Sequence, residues 1–288
     1  MNRDPNNNIQ PFSASTDMSK KYNSVHEGEG EDTDSEHEDP EVNIFYMVFM
    51  IFFAAIGGFL FGYDTSVIAG ANLYIDNDFP GVTDFQKELI VSMTLLGAAF
   101  GSLSGGSIAD RFGRKPTIFV ADFLFTIGCV VMAFTPSIAI LIVGRFIVGL
   151  GVGVAAMVVP VYLSEVSPKK VRGIIVNLNV VFIALGQFIA LVVCLLLGNR
   201  WRWMLGLAAI PAVLQAIGII FLCESPRWLA KKHQNDKVKS ALKQIYNAEA
   251  HELECITNEL KSEAMRVKEF EQYTYFELLR QLFTKFRP

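Results

Sequence analysis

Two charged residues, Asp64 and Arg145, lie inside long apolar stretches of the sequence. Asp64 follows an uncharged run that begins at Ile44, and Arg145 lies about seven residues inside a later stretch. Isolated charges are costly at membrane depth, so both side chains should face a protein interior and have partners. Pairing them with each other is the simplest solution. A carboxylate ionises readily near a guanidinium but retains its proton in a dry cavity, so a pair whose separation changes can load and release a proton. A static ion pair is the alternative.

Polar side chains within the same kind of apolar stretch are candidates for binding a small polar ligand. Asn177, Asn179, Gln187 and Gln215 each place an amide donor and acceptor among apolar neighbours. Small-molecule sites combine a few such groups with an apolar or aromatic wall. A hydrogen bond between helices is the alternative for Gln187. For Asn179 and Gln215 the favoured role is packing or support of the groups that contact the ligand.

A third charge, Asp122, lies nearer to the start of its apolar stretch than the other two. Lys115 precedes it by two helical turns, which would let Asp122 reach the membrane interface. We therefore expect a structural or interfacial role for Asp122 rather than a direct role in an ion pathway.

The elements that must position these residues are six long apolar segments. Each has about 20 residues or more, which at 1.5 Å per residue is enough to cross a hydrocarbon layer of about 30 Å. Six such segments in series exclude a soluble fold, and the sequence predicts an all-α membrane protein with six transmembrane helices. The segments are Ile44–Tyr63, Leu89–Ala109, Thr117–Pro136, Ile138–Leu163, Ile174–Leu197 and Trp203–Cys223.

Small residues and prolines mark where these helices should touch or bend. Gly97, Gly101 and Gly105 recur at every fourth position in the second segment, and Gly149 and Gly153 do so in the fourth. This spacing lets two helix backbones approach closely and predicts tight packing. We also expect that Pro160 and Pro211 kink their helices.

Composition excludes several other classes of protein. A net charge of −4 gives no basic excess for binding nucleic acid. The four cysteines form no CxxC or CxxH pattern, so a disulfide framework and a zinc site are not expected. The sequence has no Walker A, GxSxG or HExxH motif, and its four histidines lie outside the apolar segments. We expect neither an enzyme nor a metal or other cofactor.

Two polar regions flank the apolar segments. Residues 1–43 are rich in Asp, Glu, Asn and Ser, which predicts a disordered acidic tail. Residues 224–288 have Leu, Ile and Val at helical spacing but are too polar to enter a bilayer, which predicts short amphipathic helices that form a linker. Lys and Arg concentrate in 110–116, in 164–173 and after Cys223, so we expect both termini to be cytosolic.

Acidic and basic residues meet at the same end of three apolar segments. A network of ion pairs there could form in one conformation and break in another, and so act as a latch. Ordinary flanking charge is the alternative. The carboxylates are Asp110, Glu165 and Glu224, and the basic residues that follow them are Arg111, Arg114, Arg172 and Arg227.

These charged strings resemble the signature motifs of the sugar-porter branch of the major facilitator superfamily. "GGFLFGYDTSVIAGA" (Gly57–Ala71) is similar to the first helix of that branch, and "GRFIVGLGVGVAAMVVPVYLSEVSP" (Gly144–Pro168) is similar to the fourth. "GGSIADRFGRK" and "CESPRWL" complete the set, and the resemblance extends from about Ile44 to Leu229.

Further strings are closest to the inositol porters, including the proton-coupled myo-inositol symporters. They are "ADFLFTIG", "NVVFIALGQF" and "WRWMLGLAAIPAVLQ". Two residues depart from the wider family. Cys223 stands where a Pro is usual, and Val180 stands where hexose porters have a substrate-binding Gln. Since inositol porters tolerate other residues there, Val180 weakens the hexose interpretation more than the inositol one.

The resemblance implies roles for individual residues. Asp64 and Arg145 match the proton-coupling pair of the proton-coupled sugar porters, whereas facilitative hexose carriers often have Asn at the position of Asp64. Gln187 matches a substrate-contacting Gln, and Phe61 matches an aromatic residue that lines the site. Asn179 is included as a further candidate for contact with a sugar or polyol, whose hydroxyl groups need amide partners.

The resemblance also implies a whole architecture. A complete porter has twelve helices in two halves, each built as a 3+3 inverted repeat. This chain matches the N-terminal half and ends where a seventh helix would begin, so we expect a fragment, a truncated gene model or a half-size product. Its expected partners are protons, a small polyol or sugar, the lipid bilayer and the missing C-terminal half.

The function implied is proton-coupled symport of myo-inositol or a related sugar or polyol by alternating access. The protein would lie in the plasma membrane or an internal membrane. Two alternatives remain open at this point. One is a proton/hexose symporter, and the other is a non-transporting half-porter that acts as a sensor or regulatory partner.

Overall fold

The computed structural model describes residues 41–168, 170–247 and 251–267. All of them belong to one compact unit, Pro40–Pro288. The predicted acidic tail lies outside the described residues except for 41–43, and so do Lys169 and, within the predicted linker, residues 248–250 and 268–288.

Within the described residues the chain is helical, and six of its helical stretches are long and apolar enough to cross a membrane. This confirms the predicted all-α membrane fold. In chain order the helices are α1 (Ile44–Asn72), α2 (Ile75–Asp78), α3 (Asp84–Phe112), α4 (Arg114–Ala133), α5 (Ile138–Val166), α6 (Arg172–Leu197), α7 (Trp201–Leu207), α8 (Ala209–Phe221), α9 (Pro226–Lys231), α10 (Asn235–Ile245) and α11 (251–267). The spans are α1, α3, α4, α5, α6 and the pair α7–α8.

Each predicted segment corresponds to one span, and the largest differences are in the first and the last span. Helix α1 continues past Asp64 to Asn72, as the uncharged run after Asp64 indicates. The sixth segment is divided at Ala208 into α7 and α8. Pro211 has no N–H to donate to the carbonyl of Leu207, and its ring crowds that carbonyl, so the helix is interrupted there. Helix α5, in contrast, continues through Pro160.

The pairing of the spans has an internal symmetry. The most extensive contacts join α3 to α5 and α1 to α6, and further contacts join α4 to α5 and α1 to the α7–α8 pair. If α1 is exchanged with α5, α3 with α6, and α4 with the α7–α8 pair, each of these contacts becomes another contact of the same set. The contact of α3 with α5 becomes that of α6 with α1, and the contact of α4 with α5 becomes that of α7–α8 with α1. This is the pattern of two three-helix repeats, as the 3+3 arrangement requires.

Glycines line both of the major helix interfaces. Methyl groups added to Gly97 and Gly101 of α3 would overlap the backbone carbonyls of α5, and one added to Gly149 of α5 would overlap the carbonyl of Thr94. The close approach predicted from the glycine spacing is therefore present. The α1–α6 interface uses Gly62 in the same way, against the carbonyl of Ile183.

The three short helices that follow the last span pack against one end of the bundle. Val238, Leu242 and Ile245 of α10 are buried in one apolar cluster with the ends of α1 and α5. Residues 41–43 also pair with residues 245–247. The N–H of Asn43 donates to the carbonyl of Ile245 (2.8 Å), and the N–H of Asn247 donates to that of Glu41 (2.7 Å). The start of the first span is thus fastened to α10.

The variants Gly62→Ala and Gly101→Ala should both destabilise the protein. Each added methyl group would meet a backbone carbonyl of the neighbouring helix, and such overpacking costs about 1–3 kcal/mol of the free energy of unfolding. The thermal unfolding midpoint in detergent measures this loss. Gly173→Ala is the control, because no atom lies within 4 Å of the position its methyl group would occupy. Equal midpoints for all three variants would contradict the proposed close contact.

Candidate functional site

Asp64 and Arg145 form an ion pair in the interior of the bundle. The Arg145 Nη1 atom lies 2.6 Å from Asp64 Oδ1, and the two side chains are only 2% and 5% exposed. The pairing expected from the sequence is present. Because both charges are withdrawn from water, removal of either would leave a buried charge without its partner.

A third helix holds the guanidinium from a second side. The Nε–H of Arg145 donates to the backbone carbonyl of Ile90 in α3 at 3.2 Å. The pair on α1 and α5 is therefore also attached to α3. One helical turn beyond Ile90 and Arg145, Thr94 packs on Gly149 at the same interface between α3 and α5. The two helices therefore run parallel, and their successive turns lie at the same level.

Side chains from α1 and α4 surround the pair. The hydroxyl of Tyr63, next to Asp64, donates to the carbonyl of Met204 at 2.8 Å. Cys129 of α4 is 1% exposed and lies close enough to interact electrostatically with both Asp64 and Arg145. These contacts separate the pair from solvent.

Gln187 and Phe61 occupy neighbouring positions on α6 and α1. Gly186 packs against the backbone at Phe59 and Tyr63, which places Gln187 at the level of Phe61. The amide of Gln187 is exposed and the ring of Phe61 is half-buried. Phe61 also lies one helical turn from Asp64. An exposed amide, an aromatic ring and the ion pair thus lie at similar depths in the bundle.

One face of α6 extends this group. Asn177 and Val180 are exposed like Gln187, and the spacing of three and seven residues puts all three on the same side of the helix. The side chain of Val180 is apolar where an amide would otherwise stand beside Gln187. With Val180 and Gln187, this face therefore offers fewer hydrogen-bonding groups than it would with glutamine at both positions.

Asn179 and Gln215 do not reach that face. Asn179 is buried against Gly58, and Gln215 is fully buried against Gly57. The side chain of Asn179 is enclosed between α1 and α6, and its contact with a substrate stays a prediction. The packing alternative fits both residues. Within the described residues, Asn179 Oδ1 and both polar side-chain atoms of Gln215 have no hydrogen-bond partner.

Asp122 is not at an interface, contrary to one expectation. It is 2% exposed, and its Oδ2 atom has no hydrogen-bond partner among the residues that the structure describes. Lys115 does not reach it, because Lys115 Nζ donates to the carbonyls of Ile220 and Leu222, each at 2.8 Å. A structural role in the interior of the bundle remains the expectation for Asp122.

Arg114 is the centre of the charge network at the end of the bundle where α4 begins. Its Nε and Nη2 atoms donate to the two carboxylate oxygens of Glu165, each at 2.9 Å. Its Nη1 atom donates to Asp110 Oδ1 and to the Ala109 carbonyl, each at 3.0 Å. The two parallel bonds to Glu165 form the planar, bidentate geometry that makes such pairs strong.

Glu224 joins the network by capping α4. Its carboxylate accepts the backbone N–H groups of Arg114 (3.0 Å), Lys115 (3.2 Å) and Ser225 (2.9 Å). The cap residue Gly113 has no side chain to do this, and its φ of 108° is one that other residues rarely adopt. Burial raises the pKa of Glu224, and these N–H groups together with the charge of Arg114 oppose that rise.

Three basic residues predicted for this network do not join it. Arg111 is exposed and lies over the ring of Phe112, while Asp110 pairs with Arg114. Arg172 forms no ion pair within the described residues, and its Nε atom has no hydrogen-bond partner there. Arg227 instead lies 3.5 Å from Glu263 of α11.

A second polar cluster at the opposite end of the bundle was not predicted. Asp78 of α2 accepts hydrogen bonds from Arg202 and from the indole of Trp201, both at 3.1 Å. Arg202 also donates to the carbonyl of Thr135 at 2.6 Å. The cluster ties α2 and the end of α4 to the start of α7. Nothing in the sequence indicated it, because Asp78 and Arg202 are far apart in the chain and neither lies inside one of the predicted segments.

Cys223, one of the two departures from the family pattern, has a structural effect. Its backbone N–H donates to the hydroxyl of Tyr46 (2.8 Å), which donates in turn to Gln244 of α10 (2.9 Å). Its carbonyl accepts the hydroxyl of Tyr162 at 2.8 Å. A proline at this position has no N–H and could not make the bond to Tyr46.

The fold and these sites together define an integral, multi-pass membrane protein with the helix arrangement of a transporter half. Residues 50–286 match the model of the sugar (and other) transporter family. The chain therefore belongs to that family, within the sugar-porter branch of the major facilitator superfamily.

Several curated relatives are inositol transporters. The chain is 47% identical over 214 residues to the probable inositol transporter 2 of Arabidopsis thaliana, covering 73% of this chain and 37% of that protein. It is 44% identical over 221 residues to the human proton myo-inositol cotransporter, covering 75% and 34%. The chain thus spans little more than a third of the length of these relatives.

Solved structures with the same fold include the proton:xylose symporter XylE of E. coli. With 6-bromo-6-deoxy-D-glucose bound, XylE superposes with a TM-score of 0.72 at 27% identity, covering 79% of this chain and 55% of XylE. Its inward-open form gives a TM-score of 0.65 at 26% identity, covering 75% and 55%. The similarity confirms that the chain has the fold of one half of such a transporter.

Arg114→Ala should destabilise the protein far more than Arg111→Ala. Removing Arg114 leaves the nearly buried Glu165 without its partner, which we expect to cost about 2–3 kcal/mol, below the cost for a fully buried pair because Asp110 is exposed. Arg111 is the matched control, since an exposed side chain outside the network should change stability by about 0.5 kcal/mol or less. Thermal unfolding midpoints measure both. If the two variants melt together, Arg114 is not the centre of the network.

Proposed function

We propose that this chain is the N-terminal half of a proton-coupled symporter for myo-inositol or a related sugar or polyol, which works by alternating access. The observation that carries the proposal is the buried ion pair of Asp64 and Arg145. A buried charge pair is an expensive way to hold helices together, and hydrophobic residues of similar size often serve stability as well. Its presence beside an exposed polar face of α6 supports a role in ion coupling.

Proton binding to Asp64 would change the contacts between three helices. While Asp64 is ionised, its attraction to Arg145 holds α1 against α5, and the bond from Arg145 to Ile90 ties in α3. A proton on Asp64 removes the negative charge and with it most of that attraction. The guanidinium is then free to move, so the protonation state and the helix arrangement are linked.

The substrate would bind on the exposed face that carries Gln187, next to Phe61. A polyol presents hydroxyl groups, which an amide can both donate to and accept from, while an aromatic ring covers its apolar side. The second half of the porter would complete the site. Inositol transport is supported by Val180, which removes one amide from this face, and by the inositol transporters among the relatives.

We also propose that both termini are cytosolic and that the Arg114 network contributes to a latch on the cytosolic side. Lys and Arg concentrate at the end of the bundle that holds Arg114, which supports this orientation. Within this half the network joins the ends of α3, α4 and α5 to the α8–α9 connection. Charges from the second half would complete the latch in the outward-facing state.

In the complete twelve-helix porter, Asp64→Asn should abolish uphill, pH-driven uptake and spare some exchange of substrate across the membrane. The amide keeps the size of the side chain but can neither bind the transported proton nor balance Arg145. Asp122→Asn is the matched control, because Asp122 is equally buried but has no ion pair among the described residues. Accumulation against a gradient by the Asp64 variant would contradict the proposed role.

Competition between labelled myo-inositol and glucose tests the substrate. We expect uptake to favour myo-inositol, and Val180→Gln to increase the use of glucose by restoring an amide beside Gln187. Leu185→Gln is a control, since it adds an amide at an exposed position on another side of the same helix. A clear preference for glucose in the unmodified porter, with no competition by inositol, would reject the inositol assignment and favour a hexose symporter of the same fold.

A further inference from the structure

Thr94 of α3 carries a hydroxyl group that is buried and unpaired. The residue is 7% exposed, and its Oγ1 atom has no hydrogen-bond partner among the residues that the structure describes. An unpaired buried hydroxyl costs stability, because it has lost its bonds to water and gained none in the protein. Thr94 therefore calls for a physical explanation.

Other threonines within the described helices show what the hydroxyl of Thr94 would normally do. Thr65, Thr117, Thr126 and Thr257 all donate to the carbonyl four residues earlier, at 2.6–2.7 Å. This is the usual local bond of a threonine in a helix. For Thr94 the corresponding carbonyl is that of Ile90.

The carbonyl of Ile90 is already occupied by Arg145. It accepts the Nε–H of Arg145 at 3.2 Å, and as part of a regular helix it also accepts the backbone N–H of Thr94. A carbonyl oxygen has two lone pairs, so both are used. The guanidinium thus takes the place that the hydroxyl of Thr94 would fill.

We propose that Thr94 is a positioning residue for proton coupling, whose hydroxyl takes the Ile90 carbonyl when Arg145 leaves it. This rests on the proposed function of Asp64 and Arg145. While Asp64 is ionised, Arg145 bonds to both Asp64 and Ile90, and the hydroxyl is unpaired. When Asp64 is protonated and Arg145 moves, a rotation of the Thr94 side chain closes the local bond.

The hydroxyl therefore stabilises only the protonated, separated state. It contributes nothing to the paired state, so it makes release of Arg145 easier. After the guanidinium has moved, the hydroxyl of Thr94 also supplies the Ile90 carbonyl of α3 with a new hydrogen-bond donor. In this way α3 takes part in coupling without contributing a charge.

Among the groups at and around the ion pair, Asp64 is the one that changes charge. Tyr63 on α1 and Cys129 on α4 are the titratable neighbours that interact with it, and Cys194 of α6 lies near Tyr63. A phenol and a thiol both keep their protons near neutral pH. In the described part of α3 the contact to the pair is the Ile90 carbonyl, and α5 contributes Arg145 itself.

The first test is the pH dependence of uptake by the complete porter with Thr94→Val. Valine has the same shape but no hydroxyl, so the separated state loses one hydrogen bond and Asp64 becomes harder to protonate. The pH of half-maximal uptake should fall by up to about one unit. Thr94→Ser, which restores the hydroxyl, should match the unmodified protein. Thr126→Val, which removes a hydroxyl bonded to the carbonyl of Asp122 rather than one next to the carbonyl of Ile90, should not shift the profile.

The second test is thermal unfolding of the same variants in detergent at neutral pH, which does not depend on transport. Thr94→Val removes a hydroxyl that has no partner in the paired state, so the midpoint should stay the same or rise. Thr126→Val removes a bond of 2.7 Å and should lower it. A fall as large for Thr94→Val as for Thr126→Val would overturn the proposal, because the hydroxyl would then have a partner.

The outcomes separate this proposal from the proposed function. If uptake by the unmodified porter does not depend on pH, both are overturned. If uptake is pH-driven but the profile of Thr94→Val coincides with that of the unmodified protein, only the role of Thr94 is overturned. The same holds if Thr94→Ser shifts the profile as far as Thr94→Val, because the effect would then not come from the hydroxyl.

Discussion

The bond between Asp64 and Arg145 is the constraint on which the rest of the structure depends. Two charges without access to water need atomic contact, and the pair achieves it at 2.6 Å with a further bond to Ile90. Contact at this distance requires α1, α3 and α5 to converge at the level of the pair. The glycines of α3 and α5 allow that approach, since larger residues would meet the neighbouring backbone. The packing of the bundle and the chemistry of its site therefore have the same cause.

The internal symmetry of the bundle gives the pair its particular position. Helices α1 and α5 are the first members of the two three-helix repeats, so Asp64 and Arg145 join one repeat to the other. The two repeats also meet at two glycine-lined interfaces. In one, α3 of the first repeat packs on α5 of the second, and in the other, α6 of the second repeat packs on α1 of the first. A change of charge at the pair thus acts where the two repeats meet.

The sequence predicted features that depend on one helix at a time, and missed those that depend on the register between helices. Six apolar segments predict six spans, and two charges within them predict a pair. The selection of Arg114 over Arg172 and Arg227 could not be predicted, because it depends on which carboxylates are already occupied. The free hydroxyl of Thr94 is a similar case, since it follows from the alignment of α3 with α5. For Gly62 the signal was present, because Gly58 and Gly62 have the same spacing as the glycines of α3.

The pairing of residues 41–43 with 245–247 also sets an order of events during synthesis. Tyr46 and its partner Gln244 are 198 residues apart, and all six spans lie between them. A ribosome must therefore deliver the whole bundle to the membrane before α10 exists to receive the start of α1. Throughout insertion the start of the first span lacks those backbone partners. This short bridge closes after the six spans have been synthesised, because residues 245–247 follow all of them in the chain.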